Sequence, residues 1–127
     1  MIAKQILVID DEDDIRKLIQ TCLEIMGGWK VLTATSGSEG LLLAQLSQPD
    51  AILLDVMMPD IDGLTTFQNL QANQLTKHIP VILLTAKGRT ADQALLAKMK
   101  VKVKAVISKP FNPQKLAAQV EVALSSS

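Results

Sequence analysis

Ile6-Leu7-Val8-Ile9-Asp10-Asp11 is an apolar run of strand length that stops at two carboxylates. Three later runs share the pattern. Ala51-Ile52-Leu53-Leu54 stops at Asp55, Val81-Ile82-Leu83-Leu84 stops at Thr85, and Ala105-Val106-Ile107 leads through Ser108 to Lys109. Continuous apolar runs are what strands show when helices cover both faces of a parallel sheet. Parallel strands would bring all four endings to one edge. That edge would hold three carboxylates, a hydroxyl and an ammonium, a set suited to a phosphate together with a divalent cation.

Working outward, the segments between the runs have helical period. Ile15, Leu18, Ile19, Cys22, Leu23 and Met26 share one face, and Cys22 on that face reads as a core residue. Gly27-Gly28 ends the helix, and Trp29 to Thr35 alternates as a second strand with Trp29 and Val31 on one side. Ser36 to Glu39 predicts a capping box, opening a helix with a core stripe of Leu42, Leu43 and Leu46 that Pro49 closes. After the third strand, Ala51–Asp55, comes a loop with Pro59, Asp60, Asp62 and Gly63. A helix from about Leu64 then carries Phe67, Leu70 and Leu75, and Pro80 introduces the fourth strand.

Thr90 to Gln93 predicts a second capping box, with Ala91, Ala94, Leu95 and Met99 on one helical face. Lys98, Lys100, Lys102 and Lys104 alternate with Met99, Val101 and Val103, which predicts an extended approach to the fifth strand with a solvated lysine side. Asn112-Pro113 is an N-cap followed by proline at the first helical position, and Leu116, Val120, Ala123 and Leu124 form the last buried stripe. The alternation is (βα)5. Right-handed crossovers make it an α/β domain with a doubly wound parallel five-stranded sheet. Such sheets bind ligands beyond the carboxyl ends of their strands, where Asp10, Asp11, Asp55, Thr85 and Lys109 fall.

Composition narrows the function. The 127 residues suit one domain, taken as 1–124 with a frayed tail at 125–127, and 48% apolar content excludes a disordered chain. Thirteen basic and thirteen acidic residues cancel, so no global charge draws nucleic acid or an anionic membrane. No apolar run spans a bilayer, and Met1 to Gln5 has no signal-peptide pattern. With Cys22 as the single cysteine, an internal disulfide is excluded. A cytoplasmic protein is the expectation. His78 is a lone loop imidazole without a second one to form a metal pair.

The edge has a definite chemistry. Like-charged carboxylates repel by about 4 kcal/mol per pair at ~4 Å and an effective dielectric near ~20. A hard cation relieves this, and Mg2+ takes carboxylates, waters and a phosphate. Asp10-Asp11 alone would read as a helix N-cap; combined with Asp55, Thr85 and Lys109 it reads as a cation site. Asp55 is the candidate nucleophile for an acyl phosphate. Lys109 would neutralise phosphoryl oxygens as a point charge, and Thr85 would donate a hydroxyl hydrogen bond.

Asp10-Asp11, then Leu54-Asp55-Val56-Met57-Met58-Pro59-Asp60-Ile61-Asp62-Gly63, then Leu84-Thr85-Ala86, then Lys109-Pro110-Phe111 resemble the receiver domain of bacterial response regulators, over essentially the whole chain. The resemblance implies a flavodoxin-like strand order of 2-1-3-4-5. It implies that Asp55 takes phosphate from a histidine kinase phosphohistidine, or from a phosphotransfer protein, and that the signal passes to a downstream effector protein. Such a protein catalyses only its own phosphorylation and dephosphorylation. Asp11 and Asp55 would bind Mg2+ directly, Asp10 through water, and the Met57 backbone carbonyl would complete the protein ligands. A cis peptide before Pro110 is implied as well; the oligomeric state is left open, receivers often pairing as homodimers through the face formed by the fourth helix, the fifth strand and the fifth helix.

One position departs from the family. The aromatic residue expected three positions before the lysine is Val106 here, no tyrosine exists in the chain, and Phe111 lies on the other side of Lys109. Ordinary phosphorylation chemistry with altered signal output is the expectation. The alternative is a pseudo-receiver, an interaction module that is not phosphorylated. A small flavin protein on the same fold is disfavoured, because the acidic run Asp10 to Asp14 would repel an anionic cofactor.

Overall fold

A computed structural model of the chain describes residues 4–56, 63–86 and 102–125. Five strands, β1 (Gln5–Ile9), β2 (Lys30–Ala34), β3 (Ala51–Asp55), β4 (Val81–Ala86) and β5 (Ala105–Lys109), form one parallel sheet in the order β2-β1-β3-β4-β5. Both the doubly wound architecture and the strand order agree with expectation. Four helices lie among the described residues: α1 (Asp13–Gly27), α2 (Gly37–Ser47), α3 (Gly63–Ala72) and α4 (Pro113–Ser125). The helix expected to open at Thr90 lies outside the described residues, as do Met57, Pro59, Asp60, Asp62, Lys98 and Lys100.

The pleat divides the sheet into two packed faces. Ile6, Val8, Leu53, Ile82, Leu84 and Ile107 pack against Ile19, Cys22 and Leu23 of α1 and Leu116, Val120 and Ala123 of α4. Leu7, Ile9, Ile52, Leu54, Val81 and Leu83 form the opposite face, with Ala44 of α2 and Phe67 and Leu70 of α3. Apolar side chains of β1 from Ile6 to Ile9, of β3 from Ala51 to Leu54 and of β4 from Val81 to Leu84 are fully buried or nearly so. Burying one such side chain contributes about 1.5–3 kcal/mol, so these strands fix the sheet that carries the site.

Local signals explain the helix ends. Gly28 takes the left-handed conformation at φ 68°, and its amide donates to the Leu23 carbonyl, closing α1. Ser36 Oγ accepts from the Glu39 amide, as a capping box requires. The reciprocal arm differs: Glu39 Oε1 accepts from the Thr35 amide at 2.6 Å, one residue earlier than the standard box. Asn112 Oδ1 accepts from the Gln114 amide at the start of α4.

Several expected core residues are corrected. Leu18 and Met26 of α1 are exposed, so its buried stripe is narrower than the periodicity suggests. In α2 the expected Leu42 and Leu46 are both exposed, and Gly37, Gly40 and Ala44 are buried in their place. A Cβ on Gly40 would lie 2.4 Å from Ile9 Cδ1, so the helix sits too close for a leucine there. Leu75 lies beyond α3 and is exposed. Lys102 to Lys104 form a turn and bends, where an extended approach was expected.

Candidate functional site

Register assembles the carboxyl edge. Ile9 pairs with Leu54, so the next residues, Asp10 and Asp55, emerge side by side. Asp55 pairs with Leu84, one residue before Thr85, and Thr85 and Ala86 pair with Ser108 and Lys109. All five candidate side chains therefore reach one edge. One oxygen from each of Asp10, Asp11 and Asp55 lies within 4.8 Å of the others. Asp10 and Asp55 are essentially inaccessible to solvent, at 0% and 1%. Thr85 is also buried.

Lys109 reaches into this cluster. Its Nζ lies 3.1 Å from Asp10 Oδ2 and 3.3 Å from Asp55 Oδ2, with Glu12 Oε1 at 3.7 Å. Burial of the ammonium works to lower its pKa, but the attraction of Asp55 and Asp10 outweighs burial and holds it above the ordinary lysine value. The lysine stays charged. The peptide between Lys109 and Pro110 is cis. Phe111 packs against the α1/α4 core.

The turn from β1 into α1 is built from its own acidic residues. The Asp10 amide donates to the Ala34 carbonyl, and Asp10 Oδ1 accepts from the Glu12 amide at 2.9 Å. Neither Asp10 nor Asp11 caps the helix; Glu12 occupies the N-cap position without a side-chain cap. Asp11 Oδ1 is buried and, among the described residues, has no hydrogen-bond partner. A buried carboxylate oxygen without a donor is costly unless a cation faces it. Three converging oxygen ligands fit a hard cation such as Mg2+.

An edge of buried carboxylates bridged by a lysine, on a 2-1-3-4-5 parallel sheet, points to one family. The sequence matches the response regulator receiver domain over residues 6–121. This chain belongs to the response regulator receiver family. It is 38% identical over 98% of its length to the alkaline phosphatase synthesis transcriptional regulatory protein PhoP of Bacillus subtilis, of which the match covers 50%. The receiver spans about half the length of the curated relatives it matches. Among solved structures it resembles chemotaxis protein CheY4 of Vibrio cholerae, with a TM-score of 0.83, 27% identity, and coverage of 96% of this chain and 99% of that one. It also resembles a response regulator receiver domain protein from Clostridium thermocellum, with a TM-score of 0.78, 35% identity, and coverage of 95% and 94%.

Three contributors to this receiver's edge escape a reading of strand ends alone. Glu12 approaches Lys109 from the turn. Arg16 donates from Nη1 to the Asp10 carbonyl at 2.9 Å and pairs with Asp13. That pairing, a hydrogen bond reinforced by charge, holds the exposed Asp13 carboxyl below its ordinary pKa. Gly63 packs on the end of β3: its amide donates to the Val56 carbonyl, and a Cβ there would lie 2.2 Å from Val56 Cα and 2.4 Å from the Asp55 carbonyl oxygen. The Gly63 signal was present in the sequence as the close of the Asp55 to Gly63 motif. Among the described residues, no helix is long and apolar enough to cross a membrane.

Proposed function

We propose that this receiver takes a phosphoryl group onto Asp55 from a phosphohistidine of a histidine kinase or phosphotransfer protein, in the cytoplasm, and signals through a downstream effector protein. An oxygen of Asp55 attacks phosphorus, the phosphorus–nitrogen bond breaks, and its electron pair leaves on the imidazole. Asp55 and Asp11 would hold Mg2+ directly, with Asp10 assisting through water and the Met57 carbonyl completing the set. Bound there, the cation neutralises phosphoryl oxygens and the crowded carboxylates. Lys109 neutralises the phosphoryl group from the other side, and the Thr85 hydroxyl donates to one of its oxygens. We take residues 1–124 as the phosphoacceptor unit, acting on itself rather than on a separate metabolite.

The observation that carries this reading is Lys109 Nζ lying between Asp10 Oδ2 and Asp55 Oδ2. An ammonium in that position can pass from the carboxylates to an incoming phosphoryl oxygen with little movement. Intact mass after incubation with Mg2+ and a small phosphodonor tests it. The wild type should gain one phosphoryl group and Asp55→Asn none. An unmodified wild type would favour the pseudo-receiver, and a modified Asp55→Asn would move the acceptor elsewhere.

A further inference from the structure

Arg16 sits in an unexpected place for a cation. It lies in the first turn of α1, where the helix macrodipole disfavours positive charge. Its side chain is only 12% exposed. The guanidinium is used on both sides: Nη1 donates to the Asp10 carbonyl, and Nη2 pairs with Asp13 Oδ1. The contact to Asp10 spans six residues, from the helix back to the end of β1.

The segment bridged in this way carries Asp11. Asp11 Oδ1 takes no hydrogen bond among the described residues, so nothing shown at that oxygen aims it. Its direction must come from the backbone between Asp10 and Glu12. That backbone is held by the Glu12 amide on Asp10 Oδ1, by the Arg16 amide on the Glu12 carbonyl, and by the Arg16 guanidinium on the Asp10 carbonyl. Of these ties, the guanidinium is the one a side-chain substitution can remove without touching an acidic residue of the edge.

We infer that Arg16 is a positioning residue of the cation site, clamping the β1–α1 turn so that Asp11 faces the position between Asp10 and Asp55. This rests on the phosphoacceptor reading above, in which that position takes Mg2+. A simple charge-balancing role makes the opposite forecast. A positive charge beside a cation site repels the cation, so removing it would tighten binding. A clamp, when lost, loosens binding, as removal of groups that orient metal ligands does.

Calorimetric titration of the whole chain with Mg2+ separates the two. Arg16→Ala should weaken Mg2+ by about tenfold with an unchanged circular dichroism spectrum. Arg16→Lys should recover part of the loss, since an ammonium reaches one of the two acceptors. Asp13→Asn and Asp14→Asn remove the same charge from the same exposed turn, but only Asp13 pairs with Arg16. Asp13→Asn should therefore bind Mg2+ more weakly than Asp14→Asn. Wild-type or tighter binding by Arg16→Ala would overturn the inference. If Arg16→Ala does not fold, equal affinities for the two aspartate variants would overturn it instead. A wild-type protein that takes no Mg2+ would overturn the phosphoacceptor reading, and the inference with it.

Discussion

On the face of the sheet covered by α1 and α4, long and branched side chains interlock: Ile6, Val8, Leu53 and Leu84 meet Ile19, Leu23, Leu116 and Val120. On the opposite face Leu7, Ile9, Ile52 and Leu54 meet Phe67 and Leu70 of α3, but α2 approaches through Gly40 and Ala44, and α3 begins with Gly63 against the backbone of β3. The active edge draws on both. Asp10 follows Val8 by two residues, Asp55 follows Leu53 and Lys109 follows Ile107, so the charged trio continues the α1/α4 face. Thr85 follows Leu83 and shares the other face with Val106, which pairs with Leu83 and packs against that cluster. One face thus supplies the trio of Asp10, Asp55 and Lys109. The other supplies the close backbone support and holds the position where the family's aromatic residue is replaced by valine.

The largest expected effect lies on the charged face. Lys109→Met should lower the rate of phosphoryl uptake by about 100-fold, the loss typical of removing one donor to a developing anion. It also leaves two buried carboxylates facing each other, and the metal-free protein should lose about 3 kcal/mol of stability in urea unfolding. The pH dependence sharpens this. Because the folded-state pKa of Lys109 is raised, its contribution is fully present below the ordinary lysine value of 10.5 and is lost as pH rises through the folded value. In EDTA the wild type should weaken across that alkaline window, and Lys109→Met should lack this component. Equal alkaline slopes would show that the lysine is not held by the carboxylates.

Gly63→Ala tests the glycine face and should rank second. The added Cβ meets backbone rather than a flexible side-chain end, so α3 or the end of β3 must move. Overpacking of this kind costs about 1–3 kcal/mol. Because the obstructed atoms are the Val56 Cα and the Asp55 carbonyl, phosphoryl uptake should fall as well, measured by the same intact-mass time course. A stable variant with normal uptake would mean that the close approach is dispensable, and the contrast between the faces would lose its functional content.

Much of this was legible in the residues. The apolar runs marked β1, β3 and β4 because a strand buried on both faces must be apolar throughout; β5, a partly buried edge strand, carried only a three-residue run, and the endings marked the edge because parallel strands share one polarity. Helix faces were less legible. In α2 leucine outnumbers every other residue type, and a hydrophobic count makes Leu42, Leu43 and Leu46 the core stripe. Leu43 does pack against the core, but Leu42 and Leu46 do not; the helix turns Gly37, Gly40 and Ala44 inward, and at Gly40 Ile9 already fills the space a larger residue would need. Periodicity records which residues are apolar, not how near the neighbouring layer stands. Arg16 was invisible for a related reason: a cation in a first helical turn reads as a surface residue until the carbonyl it reaches is known.

This difference gives the smallest and most diagnostic prediction. If α2 packs through small residues, its exposed leucines contribute little to the folded monomer. Leu46, at 73% exposure, should tolerate glutamine with a change within about 0.5 kcal/mol in urea unfolding. Leu23, at 0% on the opposite face, should cost about 2–5 kcal/mol when cut to alanine. The two leucines look alike in the sequence, each in a helix of apolar period. A Leu46→Gln cost approaching that of Leu23→Ala would return Leu46 to the core and reverse the packing assigned to α2. A near-neutral result would leave the glycine face as the reason that Ile9, and Asp10 beside it, stand where they do.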